Sequence, residues 1–370
     1  MRIDAIETRS FRNLAPGRVE FSPGTNILCG MNAQGKTNLI EAVFFLTGAR
    51  GFRTRERREL IRFGEEELFV SGDVFSHGRP FRIDIRAGAR TTITKNGVKM
   101  RRAADLGGLF QAVLFCPEDL SIIRAGAAER RRFLDRALSQ LRPSYAAALS
   151  RYQKLYLSKS RILKDAEEKP SLLSALDDFS FEMLRVGALI VSTRRRFMDL
   201  LAPAAREIYA DLCGGREEIA FSYLSQGTRG EGDAEQALRA HYERHRAAEI
   251  ASRSCLTGPH KDDIAVAIGG RDARSFASQG QARSAALSLK LAERRLFYED
   301  TGEYPVLLLD DVLSELDQYR RDFIVSHIGE GQVIITCCEE ERLGAVSARL
   351  LRVEKGKIQR RAAAQGRYLP

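Results

Sequence analysis

The chain has 370 residues, 44% hydrophobic and 29% charged, a composition typical of a soluble globular protein of about two domains. No apolar run approaches the roughly 20 residues of a membrane span, and the start of the chain is acidic and only weakly apolar. We therefore expect no secretory signal, no membrane partner and a cytoplasmic location. The net charge of +10 favours a nucleic-acid partner, with solubility alone as the alternative. Six cysteines without C-x-x-C spacing indicate reduced thiols rather than zinc ligands.

The N-terminal third of the chain predicts strands and one short helix. Apolar and polar residues alternate from Ile3 to Phe21 and are interrupted by Pro16 and Gly17, which predicts a hairpin. A buried strand, Thr25–Cys29, is followed by a glycine-rich loop and then by a helix from Asn38 to Leu46. Further strands are expected at Leu68–Val74, Phe81–Arg86 and Thr91–Thr94, with a tight turn at Asn96-Gly97.

The middle of the chain changes to helical periodicity. Residues 118–212 predict helices with breaks near Pro143, Pro170 and Pro203, followed by a loop at 226–233 and a helix at 234–251. The remaining elements are expected as strands at 264–268, 306–309 and 332–336 and a helix at 282–298. We predict an α/β domain made from both chain ends, 1–116 and 254–370, with a mainly helical lobe, 117–253, inserted between them.

The loop Gly30–Thr37 fits the phosphate-binding pattern G-x-x-x-x-G-K-[ST]. Its backbone N–H groups and the start of the next helix suit phosphate oxygens, Lys36 suits the β/γ-phosphates of ATP, and Thr37 suits Mg²⁺. A chance match is expected roughly once in a hundred chains of this length, and the strand–loop–helix context lowers that further. The predicted ATP-binding residues of this loop are Gly30, Met31, Asn32, Ala33, Gln34, Gly35, Lys36, Thr37 and Asn38.

The acidic half of this site is predicted about 270 residues later, at the end of the apolar run Val306–Leu309. Asp310 would join Thr37 as a Mg²⁺ ligand, and Asp311 would position or deprotonate the attacking water. The predicted catalytic residues are therefore Lys36, Asp310 and Asp311. The alternative is a buried strand that ends in a solvated turn, but the phosphate loop favours the ATPase interpretation.

Ser278, Gly280 and Gln281 precede a long predicted helix and resemble the signature motif of ABC-type ATPases. A hydroxyl, a glycine and a helix N-terminus suit a γ-phosphate, whereas the alternative is an ordinary N-capped helix. Ser314–Asp317 resembles the D-loop of the same class. In that class the signature of one subunit closes over ATP bound to the other, which implies an ATP-dependent homodimer.

Groups of basic residues are candidate contacts to DNA phosphates. For each group the alternative is a solvated helix face, and acidic neighbours of Arg130–Arg132 can also pair with them. His260 either faces nucleotide or belongs to a turn. The groups are Arg50, Arg53, Arg55, Arg57 and Arg58; Arg130–Arg132; Arg194–Arg196; and Lys355, Lys357, Arg360 and Arg361.

Together these motifs resemble the RecF family of ABC-type ATPases, which is related to SMC and Rad50 heads. The resemblance implies a DNA-binding recombination mediator that recognises gapped or junction DNA, acts with RecR and RecO, and helps to load RecA during repair, replication restart and the SOS response. It covers nearly the whole chain and depends on Phe11–Asn13, Gly30–Asn38, Pro117–Leu120, Arg130–Asp135, Gly258–Asp263, Ser278–Gln281 and Leu307–Asp317.

The chain departs from the family or class pattern at several positions. Ala33 replaces a usual glycine and Ala128 a usual proline. Asp311 stands where many ABC ATPases have glutamate, and Cys337 stands where they have a switch histidine. No clear Q-loop glutamine is present, with Gln111 a weak candidate. We therefore expect a weak, DNA-stimulated ATPase that acts as a timer rather than a motor.

Three other interpretations stay open. A transporter-type ATPase subunit would lack the repair-type motifs seen here. A passive DNA clamp or scaffold with a vestigial ATP site would bind DNA equally with and without ATP. The free head of an SMC-like protein would carry a long coiled coil, whereas the insertion here is proline-interrupted and has no sustained heptads.

Overall fold

The computed structural model describes residues 1–49, 51–53, 56–101, 103–226, 233–313, 316–327, 329–338 and 348–360. The chain divides into two compact units. The split unit combines Met1–Asp119 with Glu293–Pro370, and the inserted unit is Leu120–Ala292. The assignment of 1–116 and 254–370 to a head, and of 117–253 to a lobe, stays a prediction.

Strands predominate toward both ends of the chain, and helices dominate the middle. In chain order the strands are β1 (Arg2–Arg9), β2 (Gly17–Glu20), β3 (Thr25–Cys29), β4 (Leu68–Ser76), β5 (Arg79–Ala87), β6 (Thr91–Lys95), β7 (Val98–Lys99), β8 (Ala112–Phe115), β9 (Ile219–Leu224), β10 (Asp263–Ile268), β11 (Arg271–Asp272), β12 (Val306–Leu309), β13 (Val333–Cys337), β14 (Ala348–Glu354) and β15 (Lys357–Arg360). The helices are α1 (Lys36–Phe45), α2 (Ser121–Arg124), α3 (Ala127–Leu141), α4 (Pro143–Asp165), α5 (Leu176–Cys213), α6 (Ala234–Ser252), α7 (Ala273–Phe276), α8 (Gln279–Thr301) and α9 (Gln318–His327).

A mainly parallel sheet in the split unit has the order β15-β14-β3-β13-β12-β8. Its central strands are apolar runs that are buried on both faces, as parallel strands usually are. β13 lies between β3 and β12, with Cys337 opposite Cys29 and Ile335 opposite Leu309. This register brings the residues that follow Cys29 and Leu309 to the same edge of the sheet.

A second sheet of the split unit is antiparallel, in the order β2-β1-β4-β5-β6-β7. β1 pairs with β2 as the predicted hairpin, and Asn96-Gly97 forms the predicted turn, with both residues at positive φ. Helix α1 is apolar on nearly all sides, and its side chains share one core with both sheets. Burial of α1 holds the phosphate loop, which precedes it, in a fixed place.

The inserted unit contains α2 to α7 and the sheet β11-β10-β9, with α4 packed on α5. The predicted helix break at Pro203 is wrong, because the 38-residue helix α5 continues without interruption through this proline. An internal proline removes one helix hydrogen bond and costs about 3 kcal/mol, and the buried neighbours Leu201, Ala204 and Ala205 offset that cost by packing. The breaks near Pro143 and Pro170 are confirmed.

Helix α8 begins in the inserted unit and ends in the split unit. Its predicted extent, 282–298, lies inside the observed one. Across the described residues, no helix is both long enough and apolar enough to cross a membrane.

Candidate functional site

The loop between β3 and α1 is shaped to leave helix N–H groups available to an anion. Gly35 is the N-cap of α1 and has a positive φ of 111°, and no side chain caps the helix. The first N–H groups of a helix have no intrahelical partner, and together with the helix dipole they favour a bound phosphate. The local backbone therefore fits the predicted phosphate-binding role.

The Lys36 side chain is buried, with 8% of its surface exposed, and it contacts the backbone of its own loop. Its Nζ donates to the carbonyl oxygens of Gly30, at 2.5 Å, and Met31, at 3.0 Å. The Met31 side chain is 78% exposed, so it makes its contribution to the loop through its backbone. Carbonyl oxygens are partners that Lys36 can exchange for phosphate oxygens.

Three neighbouring segments hold the loop from outside. Gln34 accepts from the backbone N–H of Gly356 through its carbonyl oxygen and from that of Lys355 through its side chain, at 2.9 and 2.6 Å. Asn38 donates to Asn13 Oδ1 at 2.7 Å, and Asn32 Oδ1 lies 3.0 Å from the Cys338 thiol. Lys355 was predicted as a DNA contact, and its support of the loop is a role that sequence reasoning missed.

Ala33 takes up a left-handed backbone, with φ of 63°. Its carbonyl oxygen accepts a long hydrogen bond from Asn13 Nδ2, at 3.5 Å. A residue with a Cβ pays roughly 1–2 kcal/mol in this conformation, which explains why glycine is the usual residue there.

The two predicted metal ligands meet at the carboxyl edge of the parallel sheet. Thr37 Oγ1 donates to Asp310 Oδ1 at 3.0 Å, although the residues are 273 positions apart. Thr336 Oγ1 donates to the same oxygen at 3.0 Å and accepts from the Asp311 N–H at 2.8 Å. A hydroxyl and a carboxylate oxygen on one side of a phosphate loop are ligands that Mg²⁺ accepts. Thr336 is a site residue that sequence reasoning missed.

Burial raises the pKa of Asp310, while the hydrogen bonds from Thr37 and Thr336 act in the opposite direction. Asp310 is 4% exposed, so its carboxylate has lost most of its water. A divalent cation would compensate this buried charge directly. Asp311, the next residue, is exposed and has a positive φ of 54°, which turns the chain away from the sheet.

The predicted signature lies in the inserted unit, at the N-terminus of α8. Ser278 Oγ accepts from the Gln281 N–H at 3.2 Å, and the Ser278 N–H donates to Gln281 Oε1 at 2.8 Å, which is a capping box. Gln281 Nε2 also donates to Glu217 at 2.8 Å, and Gly280 lies in the first turn. This geometry satisfies the N-capped helix interpretation and leaves the γ-phosphate role a prediction. Of the predicted D-loop, Ser314 and Glu315 lie outside the described residues, and Asp317 caps α9 by accepting from the Arg320 N–H.

Two of the predicted DNA-contacting arginines are buried instead. Arg130 forms a bidentate pair with Asp263, at 2.6 and 2.9 Å, and Arg194 pairs with Asp135 at 2.7 Å. Arg194 also reaches Asp262, at 3.3 Å. These two arginines are 4% and 2% exposed, so the DNA hypothesis is wrong for them. The motifs Arg130–Asp135 and Gly258–Asp263, together with Arg194, build one network of ion pairs around two buried arginines.

The remaining candidates sort by position. Arg50, Arg55 and Arg361 lie outside the described residues. Exposed side chains are those of Arg53, Arg58, Arg196, Lys357 and Arg360, and half-buried ones are those of Arg57, Arg131, Arg132 and Arg195. His260 belongs to a turn, where Tyr152 and the Cys255 carbonyl oxygen contact its two ring nitrogens at 2.6 and 3.0 Å. Burial lowers its pKa to about 4, so it is neutral near pH 7.

Gln111 directly precedes β8, and its carbonyl oxygen accepts from the N–H of Val306, the first residue of the parallel strand β12. It therefore lies at the edge of the sheet opposite Asp310. This position rules out the predicted role as a Q-loop residue.

Comparison with known proteins agrees with this fold. The family model RecF/RecN/SMC N terminal domain matches residues 2–360. DNA replication and repair protein RecF of Lachnospira eligens is 38% identical over 341 residues, covering 91% of this chain and 92% of that protein. RecF of Desulfitobacterium hafniense is 36% identical, covering 97% of this chain and all of that protein.

Solved structures extend the likeness to three dimensions. The recombination mediator protein RecF-ATPrS in the RecFOR pathway has a TM-score of 0.91 at 31% identity and covers 98% of both chains. RecF-ATP has a TM-score of 0.90 at 32% identity and covers 97% of both. An Smc head domain from Pyrococcus furiosus, at 16% identity and a TM-score of 0.53, covers 96% of this chain and shares the fold alone.

The chain has the fold of an ABC-type P-loop ATPase of the SMC-head kind, as the sequence predicted. The chain belongs to the RecF family of DNA replication and repair proteins.

Proposed function

We propose that the chain is an ATP-dependent, DNA-binding recombination mediator whose ATP site is completed by a second copy of the chain. The observation that carries the proposal is the hydrogen bond between Thr37 and Asp310, which joins the phosphate loop to the acidic strand end. The relatives support it, since RecF has been solved with ATP as a recombination mediator in the RecFOR pathway.

The residues around the loop have distinct proposed tasks in ATP binding. The backbone from Gly30 to Gly35 surrounds the phosphates, and Lys36 exchanges its two carbonyl partners for β- and γ-phosphate oxygens. Thr37 and Asp310 would hold Mg²⁺, which when bound neutralises charge on the β- and γ-phosphates. Thr336 keeps the Asp310 carboxylate oriented toward Thr37.

Asp311 is proposed to position or deprotonate the attacking water. Its side chain is one methylene shorter than the glutamate of many ABC ATPases, and Cys337 stands where they have a histidine. We therefore expect slow, DNA-stimulated hydrolysis that times the release of the complex. A turnover well above one per second without partners would contradict this, since the median for enzymes is about 10 per second.

Dimer formation is proposed to depend on the start of α8. The Ser278 hydroxyl and the first N–H groups of α8, including that of Gly280, would reach the γ-phosphate bound to the partner, and Gln281 would give up its contact with the Ser278 N–H. Lys36→Met is expected to abolish nucleotide-dependent dimerisation and hydrolysis. Ser278→Arg is expected to retain ATP binding and lose the dimer, as measured by nucleotide titration and sedimentation; dimerisation of Ser278→Arg with ATP would refute the role of the signature.

The proposed substrate is double-stranded DNA with a gap or a single-strand junction. RecR, RecO and RecA are the proposed protein partners, and the cytoplasm is the proposed location. The head would comprise 1–116 and 254–370 and the lobe 117–253. The exposed side chains of Arg196, Lys357 and Arg360 are candidates for phosphate contacts, which depend strongly on salt.

Binding to gapped, single-stranded and fully duplex DNA, each with and without ATP, tests the DNA proposal. We expect ATP to raise the affinity for gapped DNA most, with a steep decrease as salt increases. Equal affinity with and without ATP would instead support a passive clamp with a vestigial ATP site. Absence of any preference for gapped DNA would refute the proposed substrate.

A further inference from the structure

Two cysteines from distant parts of the sequence meet where the parallel sheet ends and the phosphate loop begins. Cys29 is the last residue of β3 and Cys337 the last residue of β13, and they lie opposite each other in the parallel register. Their sulfur atoms are 3.0 Å apart, although the residues are 308 positions apart in the chain. Both carry reduced thiols in this structure. A single bond between these two sulfurs would join the two strand ends covalently.

The two thiols differ in access. Cys29 is 6% exposed, whereas Cys337 is half-buried, so a small oxidant reaches Cys337 first. The hydrogen bond with Cys29, and then burial, raise the pKa of the Cys337 thiol. Because the thiolate is the reactive form, the reaction should be slow near neutral pH and faster as the pH rises. Among the described residues no cluster of three or more metal-ligating side chains is found, which disfavours a metal as the reason for this pair.

We propose that Cys29 and Cys337 form an oxidation site, which a peroxide converts to a disulfide, and that this bond weakens nucleotide binding. The second half of the inference rests on the proposed nucleotide site. The first half, the modification itself, stands on the geometry of the two thiols.

The chemistry needs one equivalent of a peroxide. The Cys337 thiolate attacks one oxygen of hydrogen peroxide, the O–O bond breaks, and Cys337 becomes a sulfenic acid while hydroxide leaves. The Cys29 sulfur then attacks the Cys337 sulfur, the S–O bond breaks, and water leaves as the disulfide forms. Overall two thiols and one hydrogen peroxide give one disulfide and two water molecules.

The disulfide would act on both halves of the nucleotide site. A disulfide needs its sulfurs about 2.05 Å apart, so the two sulfurs must approach by about 1 Å, through rotation of the two side chains and through the strand ends that carry them. Cys29 precedes Gly30, whose carbonyl oxygen accepts from Lys36, and Cys337 follows Thr336, which holds Asp310. The backbone at Gly30 has little room to adjust, since a Cβ placed there would lie 2.3 Å from the Val353 carbonyl oxygen. Any part of this approach that the strand ends take up displaces Gly30 and Thr336, and with them the contacts of Lys36 and Asp310.

The test compares reduced full-length protein with the same protein treated with hydrogen peroxide. After alkylation, intact mass counts the remaining thiols, and peptide mapping identifies the linked pair. A fluorescent ATP analogue with Mg²⁺ reports nucleotide affinity before oxidation, after it, and after dithiothreitol. We expect a Cys29–Cys337 disulfide, a loss of affinity of about tenfold, as for the loss of one hydrogen bond to a charged group, and recovery on reduction.

Single substitutions separate this pair from the other thiols. Cys29→Ser and Cys337→Ser should each lose the response, relative to their own reduced affinity. Cys213→Ser, in the inserted unit, should respond like the wild type. Cys338→Ser, which removes the exposed thiol near Lys36, should show the wild-type fold loss of affinity on oxidation, measured against its own reduced affinity. A Cys337–Cys338 disulfide, an unchanged affinity once the Cys29–Cys337 bond is present, or an equal loss in Cys29→Ser would each overturn the inference.

Failure of the proposed function can be told apart from failure of this inference. If reduced wild-type protein does not bind the ATP analogue, the proposed nucleotide site is refuted. The peptide map still decides the oxidation site in that case, since presence of the Cys29–Cys337 link supports it and absence of the link refutes it.

Discussion

The phosphate loop and the arginine–aspartate network each place basic side chains in short sequence motifs, but the two regions use these charges differently. Lys36 donates to two carbonyl oxygens of its own loop, which a phosphate can replace. Arg130 and Arg194 are themselves buried and are paired with the carboxylates of Asp263, Asp135 and Asp262. A cation that is paired with backbone is available to a ligand, whereas a buried cation that is paired with carboxylates stabilises the fold.

Removing a network arginine should have the largest effect on stability. Arg194→Met leaves Asp135 and Asp262 without their cation, and breaking a buried pair in this way costs about 3–5 kcal/mol of the free energy of unfolding. Lys36→Met, the matched control, should change that free energy by about 1 kcal/mol and remove nucleotide binding. Urea denaturation of both variants measures the difference. Equal stability of the two variants would refute the distinction between ligand-facing and structural charges.

Loss of the Thr336 hydroxyl should have the next largest effect. Thr336→Val removes the hydrogen bond to Asp310 and the hydrogen bond from the Asp311 N–H, which together cost about 1–3 kcal/mol. ATP hydrolysis should fall more than ATP affinity, because both proposed catalytic aspartates, Asp310 and Asp311, lose a hydrogen bond that orients them. Thr193→Val, which removes only a hydroxyl bonded to the Leu189 carbonyl oxygen on α5, is the control. Unchanged turnover in Thr336→Val would show that this residue does not position the site.

Asp310 should show opposite effects on stability and on metal binding. Because burial raises its pKa, the folded state holds a proton that the unfolded state has lost in the pH window between the unfolded and the folded pKa. Its contribution to stability is therefore present below the unfolded pKa and is lost as the pH rises through the folded pKa. Asp310→Asn should raise the melting temperature at pH 7 without nucleotide, and should abolish the further stabilisation that Mg²⁺ and ATP give the wild type. A lower melting temperature for Asp310→Asn would contradict this account.

The smallest predicted effect concerns the backbone of the phosphate loop. Ala33→Gly removes the cost of holding a residue with a Cβ in a left-handed backbone conformation. The greater flexibility of glycine in the unfolded chain offsets part of this gain, so the free energy of unfolding should rise by up to about 1 kcal/mol. Thermal unfolding measures it, with Ala128→Gly, on α3, as a destabilising control. Destabilisation by Ala33→Gly would show that the methyl group contributes packing that outweighs the backbone cost.

Much of the split unit could be predicted from the sequence, because its motifs carry their own local context. The strand Thr25–Cys29 is found with the predicted bounds, and Thr37 and Asp310 meet as the motif implied. The strands β8 and β14 were not predicted, since Ala112–Phe115 is too short a run to distinguish from a loop. The alternation around the turn at Lys355-Gly356 was the available signal for β14 and β15.

The inserted unit was harder to predict because its charges are explained only by tertiary contacts. Nothing local shows that Arg130 faces Asp263, 133 positions later, or that Arg194 faces Asp135. Thr336 was missed for the same reason, because its hydroxyl finds its hydrogen-bond partners only when β13 lies beside β12. Spacing within a motif predicts local geometry, whereas the partner of a buried charge depends on the whole fold.

The most direct test of the central claim is ATP hydrolysis by an equal mixture of the Lys36→Met and Ser278→Arg proteins. Each variant alone should be inactive, since every site in its own dimer lacks either the loop lysine or the signature serine. A mixed dimer contains one complete site, made by Lys36 of one subunit and Ser278 of the other, and so recovers up to about half of the wild-type turnover per dimer. A mixture that stays as inactive as its components would contradict an ATP site shared between two copies of this chain.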